Sequence, residues 1–158
     1  MNDPSIIITD ATLSDADTIA HFMIDMAWET ESKKLDLDEV RQGVRTMINE
    51  PERGQYFVAK RNGEVIGCIM YTHEWSDWRN GDMWWIQSVY VRPDSRRLGV
   101  FRAMHAHVRS LAIQNKVVEL RLYVEKQNHR AKSTYQSLGM GMTEYDIMLE
   151  DLRSVLKK

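Results

Sequence analysis

Between Val89 and Arg102 the chain runs Val-Tyr-Val, Arg-Pro-Asp-Ser, Arg96-Arg97-Leu98-Gly99, and then the apolar spacing of a helix. The first amides of a helix have no internal acceptor, and the helix dipole is positive there. A glycine lets the backbone approach an anion closely. Together they make a place for a phosphate or pyrophosphate, with Arg96, Arg97 and Arg102 adding charge. The same residues also suit a plain permissive turn with solvated arginines. No G-x-x-x-x-G-K-[ST] run occurs, so the turn is not a Walker loop.

A second constellation follows. Asn128 precedes an apolar-spaced segment and can cap it with its side-chain oxygen. Ala131 and Tyr135 are four apart and share a helix face, and Gly139 stands at a C-cap position. A phenol with a pKa near ~10 stays protonated at neutral pH and can still protonate a thiolate. A tyrosine at this spacing is equally suited to core packing.

Arg96-x-x-Gly99-x-Phe101 after a Val-Tyr-Val strand resembles the Q/R-x-x-G-x-G/A signature of the GNAT acyltransferase superfamily. Asn128, Ala131, Tyr135 and Gly139-Met140 are similar to its N-x-x-A-x-x-x-Y-x-x-x-G-[FM] segment. The resemblance extends from about Ile6 to Leu149. It implies an N-acetyltransferase using acetyl-CoA as co-substrate, with the pyrophosphate on the amides of Leu98, Gly99, Val100, Phe101 and Arg102. Arg96, Arg97, Tyr90 and Asn128 fall in the implied cofactor site. Backbone at Val89 and Val91 would bond the pantetheine amides as an added strand. A bulge in that strand would free an N–H for the thioester carbonyl. Tyr135 would be the general acid for the leaving thiolate. Phe101 departs from the pattern, and its side chain is expected to turn into the core.

The acceptor end is sought in Glu74 to Trp85, which holds four of the five tryptophans beside three carboxylates. Trp75, Asp77, Trp78 and Trp85 suit a pocket for a cationic amine. They equally suit a dimer surface or simple hairpin packing. The hairpin resembles that of the spermidine/spermine acetyltransferases, which implies a small, polyamine-like primary amine as acceptor. Those enzymes carry a glutamate where this chain has Gln87. A two-residue turn at Asn80-Gly81 would set Glu74 opposite Gln87, on the same face, as a replacement base. A base is useful because an amine of pKa ~10.4 is only ~0.1% neutral at pH 7.4.

These segments need a frame. Strands are expected at Ile6–Thr9, Tyr56–Lys60, Val65–Thr72, Met83–Val91, Val118–Val124 and Thr143–Leu149. Helices are expected from a Ser14/Asp17 start, from an Asp36/Glu39 start, over Gly99–Ile113 and over Ala131–Leu138. Asn62-Gly63 marks a hairpin. The order gives an α/β (α+β) fold: a mixed, mostly antiparallel twisted sheet with helices on both faces. One domain is expected over residues 1–158. Phe101, Met104, Val108 and Leu111 form the expected core face of the third helix.

Composition sets the remaining bounds. Net charge is −2, which gives no general attraction to nucleic acid or anionic membrane. Cys68 is the single cysteine, so no intrachain disulfide forms. The start lacks a secretory pattern, no run of about 18 apolar residues occurs, and a cytoplasmic enzyme is expected. Histidines and cysteine show no metal-ligand spacing, so no metal is expected. A homodimer fits the tryptophans. The competing functions are a catalytically impaired CoA-binding or sensing domain of the same fold, and an unrelated nucleotide binder.

Overall fold

The asparagine-glycine pair at 62–63 closes the hairpin that starts the sheet. Asn62 and Gly63 both take positive φ, 53° and 77°, and Arg61 pairs with Glu64 across a two-residue turn. The computed structural model describes residues 5–156, in two compact units that meet in sequence at Tyr123/Val124. The first unit carries β1 (Ile6–Asp10), α1 (Ala16–Glu31), α2 (Leu37–Asn49), β2 (Gly54–Arg61), β3 (Glu64–Ser76), β4 (Gly81–Val91), α3 (Val100–Gln114) and β5 (Glu119–Leu122). The sheet order is β1-β2-β3-β4-β5. All neighbours are antiparallel except β4 and β5, which are parallel.

Side chains alternate between two cores, one on each sheet face. Tyr56, Val58, Cys68, Met70 and Tyr90 pack under α1 and α2 with Ile19, Phe22, Met23 and Val44. Phe57, Ala59, Ile69, Tyr71, Trp84 and Ile86 pack under α3 with Val100, Met104, Val108 and Ala112. Trp84 stacks on Tyr71 with ring centroids 3.8 Å apart. Each fully buried side chain of this size contributes about 1.5–3 kcal/mol. Helices therefore cover both faces of a mixed, mostly antiparallel sheet.

Several expectations are corrected. The first helix is entered through Thr12, not Ser14: the Thr12 N–H donates to Asp15 Oδ2 at 2.9 Å. A short 3₁₀ turn, Leu13–Asp15, takes the positions read as the helix start. Asp36 does cap α2, accepting from the Glu39 N–H at 3.0 Å. The core stripe of α3 is Val100, Met104, Val108 and Ala112, so Phe101 sits at its edge against the His105 ring, centroids 6.0 Å apart.

The second unit holds α4 (His129–Ser137) and α5 (Arg153–Leu156). Asn128 accepts from the Ala131 N–H at 3.1 Å, and Gly139 takes φ 95° just past the helix end. The strand expected at Thr143–Leu149 does not form. No ladder partner is recorded for it among the described residues, and Met148 and Leu149 are largely exposed. Alternating apolar residues specify a strand only where an edge accepts them.

Gly43 interrupts the middle of α2, and a Cβ built there meets nothing within 4 Å. Gly43→Ala should therefore raise stability by about 0.5–1 kcal/mol, because the helix interior loses its most flexible residue. That is a rise of roughly 1–4 °C in Tm for a chain of this size, read by thermal unfolding.

Candidate active site

The site begins where β4 loses its neighbour. The parallel ladder with β5 ends at the pair Ile86–Leu122, so from Gln87 to Val91 no strand lies along that edge among the described residues. On the other edge the Arg92 N–H bonds the Ile66 carbonyl at 2.9 Å. Backbone groups alternate in direction along a strand, so those of Val89 and Val91 face the open edge. An extended molecule carrying amides can pair there.

A bulge sits at the top of this open stretch. Tyr71 pairs with Ile86 and Met70 with Ser88, leaving Gln87 without an opposite residue on β3. The Gln87 Nε2 donates to Thr72 Oγ1 at 2.7 Å. The side chain is thereby fixed on the sheet face that carries α1 and α2.

At its lower end β4 runs into a strained turn. Arg97 and Gly99 both take the left-handed conformation, φ 66° and 81°. In α3, Ala103 is the residue whose N–H bonds the Gly99 carbonyl, at 3.0 Å. The amides of Val100, Phe101 and Arg102 precede that bond, so they have no helical acceptor. Arg97 and Arg102 are exposed beside them. These features fit a pyrophosphate.

Arg96 behaves differently from the expectation of a charge beside the anion. Its Nε donates to the Val91 carbonyl at 2.9 Å, and its guanidinium lies over the Tyr90 ring at 5.5 Å. Its NH2 group donates to Glu29 Oε2 at 2.7 Å, while the Tyr90 hydroxyl donates to Glu29 Oε1 at 2.9 Å. Burial pushes the Glu29 carboxyl up, but the bonds from Arg96 and Tyr90 and the charge of Arg96 outweigh it and hold it below its ordinary value. Arg96 is thus a staple between β4, the turn and α1.

The tryptophan hairpin differs from its expected register. Ser76 pairs with Gly81, so the turn spans Asp77 to Asn80. It is held by the Arg79 N–H on Ser76 Oγ at 3.3 Å and the Asn80 N–H on the Asp77 carbonyl at 3.4 Å. This wider turn sets Glu74 opposite Met83, not Gln87. Four residues of strand, about 13 Å, separate that pair from the bulge. Glu74 does share a face with Gln87, since Thr72 and Glu74 alternate in step. Glu74 is engaged by Arg121, whose guanidinium is 3.6 Å away and also pairs Glu119 at 2.8 Å. The same Arg121 lies over Trp85 at 5.8 Å, and Trp85 stacks on Tyr123 at 4.6 Å. Trp75 and Trp78 are 59% and 86% exposed, so they form no enclosed aromatic pocket with Asp77.

A cavity of about 370 Å³ lies elsewhere, between α1, α2 and the sheet. Met23, Met26, Met47 and Met70 line it with Val40, Val44 and Gly43, and Tyr56 and Ser88 bring hydroxyls. Ser88 directly follows the bulge residue. The Tyr56 phenol is pushed well above its ordinary pKa, first by burial, so it stays neutral. Met23, Met26 and Met47 fall in expected helices and Met70 in the strand expected at Val65–Thr72, and nothing in that pattern marks a cavity. The available signal was Gly43, a glycine in the middle of an amphipathic helix. Glu29 was missed because its partners lie 61 and 67 residues away.

In the second unit Tyr135 is half-buried, and burial raises its phenol above the ordinary value. The phenol therefore stays protonated at neutral pH.

The model of the acetyltransferase (GNAT) family matches residues 19–140. The chain belongs to this family. GNAT acetyltransferases use acetyl-CoA as acyl donor, and the open edge and turn described above fit it. A solved structure of a possible acetyltransferase from Clostridium difficile 630 is 42% identical, with a TM-score of 0.87 over 92% of this chain and 97% of that one. A mycothiol acetyltransferase from Thermobispora bispora is 28% identical over 77% of this chain and 44% of its own length. A thialysine N-epsilon-acetyltransferase from Bos taurus is 29% identical over 48% of this chain and 44% of its own. The chain thus spans under half the length of these two curated relatives.

The staple predicts a pH dependence. A depressed carboxyl contributes stability above its unfolded pKa and loses it as pH falls through the lower folded value. Wild type should exceed Glu29→Gln in unfolding free energy at pH 7 by less than about 1 kcal/mol, since the pair is partly exposed. The gap should close as pH drops below about 4.5, measured by denaturant titration at each pH.

Proposed function

We propose that this protein is an N-acetyltransferase that moves the acetyl group of acetyl-CoA to a primary amine of a small molecule by direct attack. The observation that carries the reading is the unpaired edge of β4 from Gln87 to Val91, which leads straight into the turn at Arg97 and Gly99. Acetyl-CoA supplies the acyl group as an activated thioester. The amides from Leu98 to Arg102 hold its pyrophosphate. Backbone groups of Val89 and Val91 bond the amides of the extended arm. The bulge at Gln87 turns backbone toward the thioester carbonyl, where developing negative charge is best stabilised by a fixed N–H.

The neutral amine nitrogen attacks, the C–N bond forms and the C–S bond breaks. The surplus proton of the amine passes to solvent. The thiolate takes a proton from the Tyr135 phenol, which is then restored from water. Glu74 has no direct part, because the wider hairpin turn sets it about 13 Å along the strand from the bulge and Arg121 holds it. The neutral fraction of the amine then governs the rate.

Two outcomes test this. Tyr135→Phe removes one oxygen and should lower kcat by about 10²–10⁴-fold, with CoA affinity little changed by calorimetry. Full turnover by that variant would reduce Tyr135 to packing. For wild type, kcat/KM should rise roughly tenfold per pH unit below the amine's own pKa. Glu74→Gln should trace a parallel line. A wild-type profile flatter than that of the variant, with the defect of Glu74→Gln growing as pH falls, would return the proton to the carboxylate. Separately, Gly99→Asp should abolish CoA binding, by placing a side chain and a negative charge among the turn amides.

A further inference from the structure

The cavity under α1 and α2 has a composition that selects its ligand. Its lining holds no charged side chain, only methionines, valines, a leucine, a glycine and the hydroxyls of Tyr56 and Ser88. Four of the chain's ten methionines converge there. Their unbranched thioethers adapt to an apolar guest and make favourable contacts with aromatic rings. At about 370 Å³ the space exceeds the ~150 Å³ that accepts benzene in an engineered apolar cavity. One end reaches Ser88, the residue after the bulge. Gly43 forms part of the wall, and no atom lies within 4 Å of where its Cβ would be. A helix-interior glycine is unfavourable, and here it leaves the space open.

From this geometry we infer that the acceptor is a primary amine with a single ammonium and an apolar alkyl or aryl arm of about six carbons, the arm lying in the methionine cavity and the nitrogen at its Ser88 end. The inference rests on the acetyl-transfer reading above and narrows it. It runs against a polyamine. A second ammonium would lie against Met23, Met26 and Met47 with no carboxylate in the lining to receive it, and drawing an unpaired charge out of water onto an apolar surface is unfavourable. The hairpin carboxylate Glu74 is already held by Arg121.

The test compares hexylamine with 1,6-diaminohexane, equal in length and differing in one terminal ammonium, and with propylamine. Acetylation is followed by thiol release, and binding to the CoA-saturated protein by calorimetry. Hexylamine should exceed 1,6-diaminohexane by more than about tenfold in kcat/KM. It should exceed propylamine on the order of 50-fold, about fourfold per buried methylene. Gly43→Phe, which puts a ring at the cavity wall, should bring the hexylamine-to-propylamine ratio toward unity, with folding checked by thermal unfolding. Equal or better use of the diamine would overturn the inference while leaving acetyl transfer intact. Hexylamine binding that Gly43→Phe removes, without acetylation of any primary amine, would support the cavity and sink the acetyl-transfer reading. Absence of hexylamine binding to a protein that acetylates other amines would also overturn the inference.

Discussion

The arrangement depends on one mismatch in β4. Its ladder to β5 stops at Ile86, and its ladder to β3 takes an extra residue at the next position, Gln87. The extra residue changes the parity of the strand. Trp84 and Ile86 point to the α3 core above the bulge, and Val89 packs against that same core below it. Without the insertion, the residues below would exchange faces, because the side-chain period is two. Tyr90 would then leave Phe22, with which its ring centroid now stands 5.1 Å apart. The bulge therefore keeps both cores filled while it puts Gln87 and Ser88 on one face. It also coincides with the end of the β5 ladder, beyond which no strand lies beside Val89 and Val91 among the described residues.

Helix α1 connects the two ends of this open stretch. Met23, Met26 and Glu29 are spaced by three, so they lie along one stripe of the helix. The two methionines line the cavity near the bulge. Glu29, one turn on, receives Arg96 and Tyr90 beside the turn. A shift of α1 thus moves the cavity wall and the staple together. The N-terminal end of α1 is fixed independently, through Thr12 and Asp15 and through the fully buried Ala16 and Ile19.

Much of this was legible from local residue types. Asn62-Gly63 sets a hairpin because few residues tolerate two successive positive φ angles. Asn128 and Asp36 announce helix starts because their side chains reach the free amides. The Arg96-to-Gly99 run marks the turn for the same local reason. What failed was whatever depended on partners distant in sequence. Asn80-Gly81 carries the same dipeptide as the first hairpin, yet Ser76 and Asp77 hold a wider turn, and every cross-strand pair above it moves. Glu74 was misplaced by that shift alone. Thr143–Leu149 has the alternation of a strand, but alternation does not supply an edge. Arg96 read as a cation for phosphate, and only the fold shows that Glu29 claims it. The cavity was invisible because apolar residues at helical spacing read the same whether they fill a core or line a space.

The turn itself shows how a fold sustains an unfavourable backbone. Arg97 has a side chain, yet it takes φ 66°, a conformation that costs roughly 1–2 kcal/mol outside glycine. A glycine there would relieve it. The neighbours leave little alternative: Arg96 is fixed on one side by the Val91 carbonyl, the Tyr90 ring and Glu29, and Gly99 takes φ 81° on the other. Such strain persists where the surroundings over-determine it, and it concentrates at functional sites. Here it has a specific geometric result. The chain reverses tightly enough for α3 to start three residues later, at Val100, with its free amides at the foot of the open β4 edge, and Arg97 keeps a positive charge beside them that glycine could not provide.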